Sequence, residues 1–108
     1  MPHLIITWEA HQGIQRCNRF LKAKSASAAR RAQKVIDAEI ECLIRMPLAG
    51  RYWAEDKNYR EWIIPFGSSA YLALYSYDKE KDEVKIVSFR HGRENAYPFM
   101  EALSDKEN

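Results

Sequence analysis

Polar residues that could support chemistry follow a hydrophobic stretch in the last quarter of the sequence. Residues 83–89 alternate in a way that predicts a β-strand, and polar residues follow it: Arg90, His91, Arg93 and Tyr97. Such side chains could bind phosphate. They could also assist transfer of an RNA 2′-hydroxyl onto its adjacent phosphate, which needs an acid–base pair and no metal. There are two alternatives to a phosphate site. The same side chains could dock on an acidic protein surface, or they could simply be solvated at the end of a strand.

The first half of the sequence is strongly basic. Residues 10–36 contain seven basic residues and no Asp or Glu: Arg16, Arg19, Lys22, Lys24, Arg30, Arg31 and Lys34. The last three fall in the first turns of a predicted helix, where the helix dipole disfavours positive charge. This arrangement indicates an anionic partner, with a solvated, solubilising helix face as the simpler interpretation.

Composition predicts an ordinary globular protein. Of 108 residues, 46% are hydrophobic and 30% charged, which suits a single domain covering residues 1–108. No signal-peptide pattern and no bilayer-length apolar run is present, so we expect a cytoplasmic protein that does not enter a membrane. Cys17 and Cys42 are expected to be reduced thiols. No metal-ligand cluster or nucleotide-binding glycine loop is present, so we expect no metal and no cofactor.

Hydrophobic periodicity predicts two helices after a short first strand at residues 4–8. Thr7 can cap the first helix, residues 9–23, whose apolar residues recur on one face: Ala10, Ile14, Cys17 and Leu21. Gly13 within this helix could allow a close helix crossing.

The second helix is the clearest in the sequence. It begins after Ser25 or Ser27 and ends before Pro47. Because the connection between the two helices is short, we expect them to run antiparallel and to pack together.

The second half of the sequence predicts strands. The segment around Arg51 is expected to be a break and residues 54–58 a loop, after which residues 59–66, 70–77 and 83–89 form an antiparallel meander. The predicted fold class is therefore α+β, an N-terminal strand and helical hairpin on a curled antiparallel sheet. On the middle strand, tyrosines occupy one alternating set of positions. If that set faces outward, it would offer a surface for a protein partner.

The sequence resembles the RelE/ParE toxins of bacterial type II toxin–antitoxin systems. The resemblance covers nearly the whole chain and is carried by a series of short motifs in order: Pro47-x-x-Gly50-Arg51, Arg60-Glu61-Trp62, Tyr71-Leu72-Ala73-Leu74-Tyr75, Val84-x-Ile86-Val87 and His91-Gly92-Arg93. It implies a toxin that is neutralised by a cognate antitoxin, and the isolated toxin could form a homodimer. Candidate contacts for the target or the antitoxin are Arg30, Arg31, Arg51, Arg60 and Arg90.

The resemblance implies two alternative activities. RelE-like members cut mRNA on the ribosome, and for that activity the candidate catalytic residues here are His91, Arg93 and Tyr97. ParE-like members poison DNA gyrase. Leu72 stands where nuclease members often carry an arginine, and loss of one preorganised cation can cost about 10²–10³ in rate. The sequence therefore favours the ParE-like activity, with the RelE-like ribonuclease as the alternative.

Overall fold

The computed structural model describes residues 1–98 of the chain. Its helices and strands follow in this order: β1 (His3–Ile6), α1 (Trp8–Lys24), α2 (Ala26–Arg45), β2 (Arg51–Trp53), β3 (Asp56–Phe66), β4 (Ser69–Asp78) and β5 (Glu83–His91). The predicted α+β architecture, with a helical hairpin ahead of a C-terminal meander, is confirmed.

All five strands belong to one open sheet with the order β1-β5-β4-β3-β2. Strands β3, β4 and β5 pair antiparallel, as the meander requires. Strand β1 instead pairs parallel to β5, with His3 opposite Glu83 and Ile6 opposite Ile86. The sheet is therefore mixed, and the prediction of an antiparallel sheet is wrong at this edge.

The segment from Arg51 onward forms a hairpin that the sequence does not predict. Strand β2 pairs with β3, and β3 begins at Asp56 inside the predicted loop. The three-residue length of β2 and its shifted register after Tyr52 explain why no alternating pattern is visible. The hairpin has one important consequence, because it places Arg51 directly opposite Glu61.

Both helices begin at the residues that the sequence indicates. The Thr7 hydroxyl accepts the Ala10 N–H at 3.2 Å, and the Ser25 hydroxyl accepts the Ala28 N–H at 3.1 Å. Ser25, and not Ser27, is thus the cap of α2. Within residues 1–98, neither helix is long and apolar enough to cross a bilayer.

Gly13 permits a close approach, but the neighbour is a strand and not a helix. A Cβ atom at this position would overlap the carbonyl oxygen of Phe89 on β5. The absent side chain therefore lets α1 lie directly on the sheet backbone. The predicted close helix crossing at Gly13 is wrong for this reason.

The tyrosines of β4 face the helices. Tyr71, Ala73 and Tyr75 are buried in the main core together with apolar residues of both helices, whereas Leu72 and Leu74 lie on the opposite, outer face. The tyrosine row therefore cannot serve as an outward surface for a partner.

A β-bulge on β5 reverses the alternation of its side chains. Leu74 pairs with Ser88, but the next residue of β4, Tyr75, pairs with Ile86, so Val87 is the extra residue. As a result Phe89 enters the main core. The two residues that follow it, Arg90 and His91, then emerge on opposite faces of the sheet.

Candidate functional site

A buried polar cluster on the outer face of the sheet is centred on Glu61, which is only 7% exposed. The Tyr97 hydroxyl donates to its Oε2 atom at 2.5 Å, and Arg51 Nε donates to its Oε1 atom at 3.0 Å. Arg90 Nη2 lies 4.0 Å from Oε2. Residues from β2, β3, β5 and the segment after β5 thus meet here. The cluster fastens the segment that follows β5 onto the sheet.

Tyr97 is held as a neutral hydrogen-bond donor. Burial raises the pKa of its hydroxyl, and the hydrogen bond to Glu61 raises that pKa further. Its ring packs edge-on against Trp53 at 5.9 Å, and the Arg90 guanidinium lies 4.8 Å from the ring centroid. A phenol that is 2% exposed and holds its proton this firmly is not poised for acid–base work near neutral pH.

Arg90 is largely buried beneath the same segment, with 15% of its side chain exposed. Its Nη1 atom donates to the Glu94 carbonyl oxygen at 2.5 Å. Within residues 1–98 its Nε atom is buried without a hydrogen-bond partner, which costs stability. Arg90 therefore supports the segment after β5 and could contact a partner only if Tyr97 moved away.

Leu72 forms part of the floor under Tyr97. It is 7% exposed and packs in a second apolar cluster with Trp53, Leu74 and Tyr97. In the strand register it lies directly opposite Arg90. The position where the resemblance implies an arginine in many nuclease members is therefore a buried hydrophobic site in this protein.

His91 and Arg93 lie away from Tyr97. The His91 ring contacts Tyr71 on the helix side of the sheet, with ring centroids 5.5 Å apart, and its Nδ1 atom accepts the Arg93 backbone N–H at 3.1 Å. The Arg93 side chain is exposed. The structure thus does not bring together the three candidate catalytic residues, because the sheet separates His91 from Tyr97.

An open groove of about 500 Å³ lies between α1 and the β3–β4 turn, on the side of His91. Phe20, Phe66 and Tyr71 provide apolar surface, while Lys24 and Arg93 stand at its rim. Such a groove could receive an apolar side chain flanked by acidic residues.

A thiol and an ion pair complete the wall of this groove. Burial above all raises the pKa of the Cys17 thiol to about 11, so Cys17 is a packing residue and not a nucleophile. Arg16 pairs with Glu94 at 2.8 Å, which ties α1 to the turn after β5.

The Arg60 side chain is hydrogen-bonded to backbone carbonyl groups of the loop after α2. It donates to the carbonyl oxygens of Leu48 at 2.9 Å and Gly50 at 2.8 Å, and it lies 4.2 Å from the ring centroid of Tyr52. The loop after α2 is therefore anchored by Arg60. Arg51, whose side chain is 59% exposed, remains accessible on one side while it bonds Glu61 on the other.

Arg30 and Arg31 are exposed in the first turns of α2, far from the Glu61 cluster in the chain. Arg31 donates to the Ser27 hydroxyl at 3.1 Å. The first turn of α2 contains no acidic residue, so nothing there offsets the unfavourable helix dipole. These two arginines do not belong to the Glu61 cluster. If they have a role, it is to contact a partner at the exposed surface of α2.

The sequence gives no role to the two acidic residues that organise these contacts. In the sequence, Glu61 stands in the Arg60-Glu61-Trp62 motif and Glu94 is one of the polar residues near one end of the meander, but neither pattern indicates that these carboxylates hold basic residues in place. Three arginines face this pair in the structure: Arg16 pairs with Glu94, and Arg51 and Arg90 lie against Glu61. An acidic residue inside a strand otherwise rich in apolar residues was the available signal for Glu61.

Within residues 1–98 no group of three or more His, Cys, Asp or Glu side chains could hold a metal ion. The cluster is instead one carboxylate, that of Glu61, with the guanidinium groups of Arg51 and Arg90 beside it. It can hold a chain segment in place, but it offers no open pair of groups for proton transfer.

The sequence matches the model of a known protein family. The family model described as the ParE toxin of type II toxin-antitoxin system, parDE, matches residues 4–96, which include both helices and, apart from His3, the five strands described for residues 1–98. Among curated proteins, none matches this sequence. Since the match covers most of the chain and agrees with its fold, the protein belongs to the ParE toxin family of type II toxin–antitoxin systems.

Proposed function

We propose that this toxin acts on DNA gyrase and does not cut mRNA. Membership of the family implies a cognate antitoxin that neutralises the toxin. The single observation that carries the choice of target is the buried state of Tyr97, whose hydroxyl is hydrogen-bonded to Glu61 on the outer face of the sheet.

A metal-independent ribonuclease needs an accessible set of groups around the scissile phosphate. A general base must come within about 3 Å of the 2′-hydroxyl, and cations must face the developing negative charge. Here Tyr97 is covered, Leu72 provides no charge, and His91 lies across the sheet. These features argue against RNA cleavage and leave inhibition of a protein target as the better-supported activity.

The proposal predicts a direct effect on gyrase. Purified toxin inhibits supercoiling of relaxed plasmid by gyrase in a dose-dependent way, and equimolar antitoxin restores it. A reporter mRNA translated with the same toxin concentration stays intact, as read by primer extension. Codon-positioned cuts in that mRNA, or full supercoiling at saturating toxin, would show that the proposed target is wrong.

Tyr97→Phe separates the two activities within the cell. We expect growth inhibition to persist, because the Tyr97 hydroxyl is buried and hydrogen-bonded to Glu61 and is therefore not exposed to a substrate. Loss of this hydrogen bond lowers the free energy of unfolding by about 1.5–3 kcal/mol, the usual range for a bond to a charged group. Growth after induction and a urea denaturation curve measure the two effects.

Tyr77→Phe is the matched control for this experiment. It also removes a tyrosine–carboxylate hydrogen bond, from the Tyr77 hydroxyl to Asp82 at 2.7 Å, but far along the sheet from Tyr97. If folded Tyr97→Phe loses growth inhibition while Tyr77→Phe keeps it, the hydroxyl is catalytic and the ribonuclease activity is the correct one.

A further inference from the structure

We propose that the solvent side of the helical hairpin is a binding surface for the phosphate backbone of duplex DNA. The surface consists of four exposed basic residues, called here the basic face: Arg19 and Lys22 on α1, with Arg30 and Lys34 on α2. This inference does not depend on which protein the toxin inhibits.

The basic face has a regular geometry. Arg19 and Lys22 are three residues apart and Arg30 and Lys34 are four apart, so each pair lies along one side of its helix, separated by a rise of about 4.5 Å and about 6 Å respectively. The two helices pack against each other, and a surface groove lined by residues of both, including Arg19 and Gln33, runs between them. The four charges therefore share one side of the hairpin.

The charges of the basic face are not used within the protein. None of its four residues takes part in an ion pair or a side-chain hydrogen bond among residues 1–98. The nearest acidic residue along α2 is Asp37, whose carboxylate accepts the Gln33 amide at 2.9 Å. Arg30 also lies at the positive end of the α2 dipole, so the protein holds positive charge here at a cost to the helix.

The chemistry of this side favours nucleic acid over an acidic protein. Protein interfaces depend on apolar and aromatic anchors, whereas phosphate contacts need only cations placed along a charged backbone. Exposed large apolar residues lie elsewhere in the described chain. On α1, Phe20 turns toward the groove that it shares with Phe66, and Trp8 is in the first turn. Among residues 1–98 no exposed large apolar side chain accompanies the basic face, so binding there would be electrostatic and independent of base sequence.

The test is binding of the purified full-length toxin to a short labelled DNA duplex, without gyrase, measured by fluorescence anisotropy at several salt concentrations. Four phosphate contacts predict a slope of about −3.6 in a plot of log association constant against log salt. Arg30→Glu combined with Lys34→Glu is expected to reduce the steepness by about 2 and to weaken binding at least about tenfold at low salt.

Lys79→Glu combined with Lys81→Glu is the matched control. It produces the same change in net charge at exposed positions in the β4–β5 turn. This control is expected to keep the wild-type slope and an affinity within about threefold. A milder pair, Arg30→Ala with Lys34→Ala, should also reduce the slope by about 2, and thermal unfolding verifies that each variant is folded.

Three results would overturn the inference. Equal loss of DNA binding in the two charge-reversal pairs would exclude a localised surface, and so would the absence of any salt-dependent binding. Unchanged DNA binding with a lower affinity of the Arg30 and Lys34 variants for the antitoxin would assign the basic face to an acidic protein. None of these results would alter the gyrase assay, because this experiment contains no gyrase.

Discussion

In Glu61→Ala, the free energy of unfolding falls by about 3–5 kcal/mol, the range found when one partner of a buried charge pair is removed. The change removes the carboxylate that accepts the Tyr97 hydroxyl and faces the Arg90 guanidinium, and both of these side chains are largely buried. The Arg51 contact contributes little to this loss, because that side chain is more than half exposed. The segment after β5 then loses the hydrogen bond from Tyr97 to the sheet.

Two controls separate the roles of shape, charge and position in this result. Glu61→Gln keeps an oxygen that can accept the Tyr97 hydroxyl but removes the negative charge, so a smaller loss of about 1–3 kcal/mol is expected. Glu55→Ala removes an exposed carboxylate between β2 and β3 and should stay within about 0.5 kcal/mol of wild type. Urea midpoints at constant slope give these values. A Glu61→Ala midpoint equal to that of Glu55→Ala would mean that the cluster does not support the fold.

Local patterns in the sequence were sufficient to predict the helices. Capping residues and apolar spacing depend only on neighbours within a few positions, so Thr7, the buried face of α1 and the end of α2 before Pro47 follow directly. The same holds for the meander, whose strands are joined by short turns.

Contacts between distant parts of the chain were not predictable in this way. The parallel pairing of β1 joins residues 3–6 to residues 83–86, and no local pattern specifies it. Gly13 lies within a sequence that predicts a helix. It must be a glycine because a Cβ atom would overlap the backbone carbonyl oxygen of Phe89 on β5, which is 76 residues away in the chain. The short β2 strand is likewise defined only by its partner β3.

Which candidate residues share a surface could not be predicted from spacing, because one extra residue changes the face of every later side chain on β5. Regular alternation places Arg90 on the same side as Val84 and Ile86, and His91 on the other side. The bulge at Val87 exchanges them, so that Arg90 joins Tyr97 and His91 turns toward the helices. Spacing alone correctly placed these residues near the end of β5, but it could not tell which of them share a surface.

Leu72→Arg, which introduces the arginine of nuclease relatives, is expected to destabilise the toxin without making it a ribonuclease. The new guanidinium would be buried in an apolar cluster, directly opposite Arg90, and Glu61 already accepts from Tyr97 and Arg51. A buried charge without a partner of its own costs about 3 kcal/mol or more. Urea denaturation measures this loss, and primer extension on a reporter mRNA tests for cleavage.

Leu72→Met serves as the control, since a swap of similar volume in a core costs less than about 1.5 kcal/mol. If Leu72→Arg instead folds with wild-type stability and produces codon-positioned cuts, the covered outer face is not what prevents ribonuclease activity. The expected result, destabilisation without cleavage, would instead show that an arginine at position 72 is not sufficient for ribonuclease activity. Leu72 is part of the floor on which Tyr97 rests, so a change of activity in this chain would require both a new cation and release of the segment that Glu61 holds.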